Sequence, residues 1–139
     1  MLFRSCAGRE PLEVLEALLP EVDLVQVRIK SDSGVSGAAR ELQHWTARAL
    51  ELCAALGPGA PPVLVNDRVD VARSLLERGC AGVHLGQDDS PPGLARELLG
   101  PAALIGLSTH SAAQLARAED EPVDYLGLDR KSTRLNSSH

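Results

Sequence analysis

Two hydrophobic periods alternate along this chain. Short runs of β-branched residues and leucine, each bounded by glycine, proline or polar residues, are typical of strands. Between these runs, apolar residues recur at spacings of three and four, which is typical of helices that bury one face. The pattern predicts strands at Leu24–Lys30, Pro62–Asn66, Gly82–Gly86, Ala103–Leu107 and Asp124–Leu128.

Residues with strong positional preferences predict where the helices begin and end. Proline is tolerated in a first turn, serine and aspartate cap helix starts, and glycine commonly follows a helix end. These rules predict helix starts at Pro11, Asp67, Ser90 and Ser111, helix ends at Gly79 and Gly100, and a further helix that carries Leu42 to Leu56.

Strands that alternate with helices and are joined by short links predict an α/β fold with a parallel sheet. A closed eight-stranded barrel needs roughly 200 residues or more, whereas this chain has 139 residues and about five predicted strands. Two architectures remain open on this pattern. One is an open doubly wound sheet, and the other is part of a (β/α)8 TIM barrel.

Polar residues alternate with aliphatic ones along the first predicted strand. Gln26, Arg28 and Lys30 fall on one face by the two-residue period, with aliphatic residues between them. Ligands bind at the carboxyl ends of parallel strands in both architectures. An arginine fork and a lysine charge at such an end suit a phosphate group. The alternative is an amphipathic edge strand with solvated polar residues.

Carboxylates follow two neighbouring predicted strands. Asn66 and Asp67 end the second strand, and Asp89 lies just beyond the third. Mg²⁺ is typically held by one or two carboxylates together with substrate phosphate oxygens. Taken singly, Asp67 could be a helix cap and Asp89 an ordinary loop residue. Because cations and carboxylates occur together at strand ends, phosphate with Mg²⁺ explains them better, and Ser108 after the fourth strand could also contact phosphate.

Composition narrows the class of partner. The net charge is −5 and aromatic residues make up 2% of the chain, which argues against nucleic-acid and anionic membrane surfaces. Three widely spaced cysteines form no disulfide or metal motif, and no secretory signal pattern is present, so we expect a reducing cytoplasm. The sequence contains no nucleophile motif, and we therefore assign no catalytic nucleophile.

Five linked segments resemble the thiamine phosphate synthase family in order and spacing, over about residues 8–128. The segments are Gln26–Lys30, Val65–Ala72, Gly82–Asp89, Ile105–His110 and Asp124–Gly127. The resemblance implies a (β/α)8 barrel and an enzyme that joins hydroxymethylpyrimidine diphosphate to thiazole phosphate. The products would be thiamine phosphate and pyrophosphate, and both substrates are small molecules.

The resemblance also implies roles for individual residues. The pyrimidine diphosphate would contact Gln26, Arg28, Lys30 and Asn66, and Ser108 would help to bind its diphosphate or its ring. Asp67 and Asp89 would carry Mg²⁺. In this family the diphosphate leaves first, and the thiazole nitrogen captures the resulting pyrimidine methyl cation. Alternatives are a thiazole tautomerase-like relative, or a self-contained flavodoxin-like binding or receiver domain.

Both ends of the chain depart from the family pattern and resemble translated sequencing adapters. We expect residues 1–5 and 129–139 to be non-native tails and residues 6–128 to be a partial barrel, with no strand before Pro11. The family's threonine-rich loop for the thiazole phosphate is not found after Leu128. We therefore expect the chain as given not to complete the reaction.

Overall fold

Six parallel strands form one sheet in the computed structural model, which describes residues 2–3, 11–30 and 34–128. The strands are β1 (Leu2–Phe3), β2 (Val25–Val27), β3 (Val63–Asn66), β4 (Gly82–Leu85), β5 (Leu104–Thr109) and β6 (Tyr125–Leu128). They lie side by side in chain order, as in a (β/α)8 barrel, so the predicted partial barrel is confirmed. A flavodoxin-like sheet reverses its strand order at a switch point, and this order excludes it.

A helix lies between each strand and the next. The helices are α1 (Pro11–Leu18), α2 (Gly34–Leu56), α3 (Val69–Ser74), α4 (Pro92–Leu99) and α5 (Ala112–Ala118), with short 3₁₀ turns at Leu19–Glu21 and Leu76–Arg78. In the described ranges, no helix combines the length and the apolar character needed to cross a membrane.

The core lies between the sheet and the helices. Alternate strand residues such as Val25, Val63 and Ile105 are buried there together with Leu15 of α1. Because side chains alternate across a strand, the intervening residues project from the opposite face, the barrel interior. This interior face carries Gln26, Leu64, Asn66, His84, Ser108 and Tyr125.

Two predictions about the first strands are wrong. Leu2–Phe3 pairs in parallel with β2, although two residues are too few to show a strand period in the sequence. β2 ends at Val27 rather than Lys30, but Ile29 still packs against the core. Buried and polar residues therefore continue to alternate after the hydrogen-bonded ladder has ended. Apart from Leu2–Phe3, the predicted tails 1–5 and 129–139 lie outside the described residues.

The predicted helix boundaries are partly confirmed. Ser111 caps α5, accepting a hydrogen bond from the Gln114 N–H at 3.2 Å. Ser90 is not a cap, because α4 begins one residue later than expected, after Pro91, and has no side-chain cap. The third predicted helix is shorter than expected, since α3 ends at Ser74 and a 3₁₀ turn leads to Gly79.

Candidate active site

Asp67 has an uncommon backbone conformation directly after β3. Its φ is 66°, in the left-handed region, which aspartate enters more readily than most residues. The backbone N–H of Asp67 donates to the carbonyl of His84 on β4 at 2.8 Å. Asp67 is not the cap of α3, since Arg68 occupies that position and no side chain caps the helix. The Asp67 carboxyl group is therefore available for contacts at the carboxyl edge of the sheet.

Asp89 brings a second carboxyl group to the same place. Its Oδ2 accepts a hydrogen bond from the Gly86 N–H at 2.7 Å, and its carboxyl group lies within hydrogen-bonding distance of that of Asp67. The pKa of Asp67 is raised to about 6, first by desolvation and then by the hydrogen bond and negative charge of Asp89, against the opposing charge of Arg28. The two carboxyl groups thus form a close like-charge pair, which the charge of Arg28 offsets only in part.

This pair has the chemistry of a divalent-cation ligand set. A cation between two carboxylates offsets their mutual repulsion, and Mg²⁺ accepts one or two carboxylates while keeping waters and phosphate oxygens as its other ligands. Within residues 11–30 and 34–128, no cluster of three or more histidine, cysteine, aspartate or glutamate side chains is arranged to hold a metal. The protein's share of such a site would be Asp67 and Asp89.

A cavity of about 240 Å³ opens beside Asp67. Its walls are Arg28, Ile29, Lys30, Ala38, Leu42, Asn66, Asp67 and Arg68. The charge of Arg68 is matched by Asp70, with an Nη2 to Oδ2 distance of 2.7 Å. Neither Arg28 nor Lys30 forms an ion pair with another described residue. The cavity therefore offers two cations that an anionic group could engage.

Gln26 and Asn66 join the cavity to the barrel interior. The Gln26 Nε2 donates to the Asn66 Oδ1 at 2.6 Å across β2 and β3. Asn66 in turn hydrogen-bonds to the Asp67 carboxyl group, which lowers the pKa of that aspartate against the larger opposing effects. Two of the predicted substrate-binding residues are thus in direct contact, and the second of them contacts a predicted metal ligand.

A second polar group lies further along the interior face. The His84 Nδ1 is 2.8 Å from the Tyr125 hydroxyl, and its Nε2 is 2.7 Å from the Ser108 hydroxyl. Burial lowers the pKa of His84 and so favours the neutral imidazole, although the charge of Asp89 acts in the opposite direction. Sequence reasoning placed Ser108 at the correct edge of the sheet. It gave Tyr125 no role, because nothing local to Tyr125 indicates that it reaches β4.

Comparison with known proteins identifies the family. The family profile described as thiamine monophosphate synthase matches residues 4–131. The thiamine-phosphate synthase of Azorhizobium caulinodans is 45% identical over 125 residues, covering 89% of this chain and 54% of that protein. The Vibrio parahaemolyticus enzyme of the same name is 41% identical over 115 residues, covering 83% of this chain and 51% of that protein.

A solved structure supports the same relationship. The thiamine phosphate pyrophosphorylase from Pyrococcus furiosus superposes with a TM-score of 0.70 at 30% identity, covering 91% of this chain and 57% of that chain. The chain spans about half the length of the curated relatives that it matches. With the fold, the sequence match and the structural match in agreement, this chain belongs to the thiamine monophosphate synthase family.

Proposed function

We propose that this chain supplies the pyrimidine-diphosphate side of a thiamine phosphate synthase site. The reaction joins hydroxymethylpyrimidine diphosphate to thiazole phosphate and releases pyrophosphate. The observation that carries the proposal is the meeting of two cations that form no ion pair with another described residue, Arg28 and Lys30, with the carboxylate pair Asp67 and Asp89 at one edge of the sheet. Cations and paired carboxylates together suit a diphosphate that arrives with a divalent metal.

Each residue then has a defined task. Arg28 and Lys30 bind the diphosphate and stabilise the negative charge that grows on it as the carbon–oxygen bond breaks. Gln26 and Asn66, already fixed by their mutual hydrogen bond, orient the pyrimidine. Asp67 and Asp89 hold Mg²⁺, which neutralises part of the charge of the leaving group. Because the diphosphate departs with its electron pair, no protein nucleophile is required for the step.

The proposal extends to location and partners. The described cysteines, Cys53 and Cys80, are buried and not disulfide-bonded, which supports the reducing cytoplasm expected from the sequence. The ligands are small charged molecules, and the acidic chain is proposed to act without nucleic acid or membrane partners.

Calorimetry with the 139-residue chain tests the proposal. We expect pyrophosphate and hydroxymethylpyrimidine diphosphate to bind, and Mg²⁺ to tighten both. Arg28→Met should weaken binding about tenfold, the loss of one charge-assisted contact. The matched control is Arg48→Met, because Arg48 lies on α2 in an exposed ion pair with Glu51 and should leave binding unchanged. If Mg²⁺ and Arg28→Met both leave pyrophosphate binding unaltered, the assignment of this site is wrong.

Product formation is a separate measurement. Thiazole phosphate is added to the chain with the pyrimidine diphosphate and Mg²⁺, and thiamine phosphate is followed by chromatography after oxidation to its fluorescent derivative. We expect the pyrimidine diphosphate to bind but no thiamine phosphate to form, since the threonine-rich loop for the thiazole phosphate is not found after Leu128.

A further inference from the structure

We propose that Tyr125 and His84 are positioning residues that make the Ser108 hydroxyl a hydrogen-bond donor to the diphosphate-bearing ligand. The identity of that ligand rests on the proposed function. The relay itself, Tyr125 to His84 to Ser108, is defined by contacts within β4, β5 and β6.

The strand register brings Tyr125 to His84 across an intervening strand. His84 pairs with Gly106 of β5, and Gly106 pairs with Tyr125 of β6, so the three residues lie at one level of the sheet. The Tyr125 ring occupies the space above Gly106, where any Cβ would overlap its outer atoms. The imidazole and phenol centroids are 5.5 Å apart, with 35° between their planes. Because Gly106 has no side chain, the Tyr125 phenol can cross β5 there and reach the His84 imidazole.

The direction of the relay is set by which atom donates and which accepts in each hydrogen bond. A neutral imidazole has one donor and one acceptor nitrogen. The Tyr125 hydroxyl is half-buried, and its only hydrogen-bond partner in the described chain is the His84 Nδ1. In the proposed relay the Tyr125 O–H donates to the His84 Nδ1, the acceptor that lies 2.8 Å away. The proton of His84 must then lie on Nε2, and it points at the Ser108 oxygen.

The state of Ser108 follows from this direction. Its oxygen accepts from the His84 Nε2–H, so the O–H of Ser108 is not used within the relay. Ser108 lies near the carboxyl end of β5, at the edge of the sheet that carries Asp67 and Asp89. Its proton is therefore free for an acceptor atom of the ligand. The opposite tautomer would turn the serine proton toward His84 and leave only its lone pairs for the ligand.

The tautomer can be measured without any ligand. Long-range ¹H–¹⁵N spectra of the ¹⁵N-labelled 139-residue chain distinguish a protonated Nε2 from a protonated Nδ1. We expect His84 to carry its proton on Nε2, and the Tyr125→Phe variant to show a mixture of the two forms. A predominantly Nδ1-protonated His84 in the unmodified chain would overturn the proposal.

Two amide substitutions at His84 separate positioning from packing. A glutamine amide can approach the place of Nε2, whereas an asparagine amide approaches that of Nδ1. His84→Gln should retain donation to Ser108 and bind hydroxymethylpyrimidine diphosphate within about threefold of the unmodified chain. His84→Asn and Ser108→Ala should each weaken this binding about tenfold. Equal losses in the two amide variants would mean that His84 acts through packing alone.

A matched pair of glycine substitutions tests the gap beneath Tyr125. Gly106→Ala should displace the phenol, and it and Tyr125→Phe should weaken binding of hydroxymethylpyrimidine diphosphate to a similar extent. Gly127→Ala is the control, because its Cβ would lie 3.5 Å from the nearest His84 atom, an ordinary contact. Equal effects of the two alanines would contradict the relay.

The ligands identify which acceptor Ser108 contacts and separate the two proposals. If Ser108→Ala weakens pyrophosphate binding, the acceptor is a phosphate oxygen; if only the pyrimidine diphosphate is affected, it is on the pyrimidine. If the unmodified chain binds neither ligand, the proposed function fails, while the tautomer measurement still decides the relay.

Discussion

The two edges of the sheet use aspartate in opposite ways. At the amino edge, the Asp124 carboxylate accepts from the Arg96 guanidinium and from the Ile105 N–H, both at 2.8 Å, and the Arg96 hydrogen bond lowers the pKa of that aspartate. At the carboxyl edge, desolvation and the neighbouring Asp89 raise the pKa of Asp67 to about 6. Asp124 is paired with the cation Arg96, whereas Asp67 lies next to the like charge of Asp89.

This difference separates stability from ligand binding. Arg96 also donates to the carbonyls of Ala103 and Pro122, at 2.6 and 3.0 Å, so it joins the entrances of β5 and β6. The carboxyl edge leaves Arg28 and Lys30 without an ion-pair partner among the described residues. Conflicts of charge that the fold does not resolve are typical of sites that are completed by a ligand.

The largest expected effect is on the free energy of unfolding, when the contacts of Arg96 at the amino edge of the sheet are removed. Arg96→Ala removes the partner of Asp124 and several carbonyl contacts, and should lower the free energy of unfolding by about 2–3 kcal/mol. Urea denaturation measures the change. Arg48→Ala, which removes only an exposed pair with Glu51, should cost about 0.5 kcal/mol or less. Similar losses in the two variants would show that the amino edge contributes no special stability.

An intermediate effect is expected from neutralising one member of the like-charge pair. Asp89→Asn keeps an oxygen that can accept from the Gly86 N–H but removes a metal ligand. We expect Mg²⁺ to increase the affinity for pyrophosphate in the unmodified chain. The factor of this increase should be about tenfold smaller in Asp89→Asn, a difference of about 1.4 kcal/mol. Asp88→Asn, on the adjacent exposed loop residue, is the matched control. Unchanged Mg²⁺ dependence in Asp89→Asn would exclude this carboxylate as a ligand.

The smallest expected effect is on the pH dependence of stability, to which Asp67 and Asp124 should contribute with opposite signs. The pKa of Asp67 is about 6 in the folded chain, above the ordinary 3.8, so its protonated form stabilises the fold at low pH and that stability is lost as pH rises through 6. Asp67→Asn should therefore raise the metal-free stability at pH 7 by less than about 1 kcal/mol, with the gain shrinking toward pH 4.

Asp124→Asn provides the opposite case for the same titration. The pKa of Asp124 is lowered, so this group stabilises the fold above its ordinary pKa, and the stability is lost as pH falls through the folded value. Its asparagine variant should be less stable than the unmodified chain at pH 7. Thermal unfolding between pH 3 and pH 7, without divalent ions, compares the two variants. Parallel pH profiles would refute the contrast between the edges.

Sequence reasoning predicted the site better at strand ends than across strands. The ends of β3 and β4 carry Asn66, Asp67 and Asp89 within a few residues of recognisable apolar runs, so their meeting follows from the parallel sheet alone. The left-handed conformation of Asp67 was not predictable, since aspartate before a helix more often indicates a cap. Only the hydrogen bond to the His84 carbonyl shows why that cap is not used.

Contacts that depend on the register between strands could not be predicted from the sequence. Tyr125 and His84 are 41 residues apart and meet because Gly106 lies between them on β5. The sequence contains the glycine, but a single glycine in a strand has several explanations. The same limit applies to Leu2–Phe3, whose strand is defined by pairing with β2 rather than by any period of its own.

His84 has a consequence for the spacing of the whole site. Its carbonyl accepts the Asp67 N–H, while its ring contacts Ser108. His84 thus contacts Asp67 through its main-chain carbonyl and Ser108 through its imidazole. A displacement of β4 would therefore disturb the backbone of Asp67 and the hydroxyl of Ser108 together, through two different atoms of one residue.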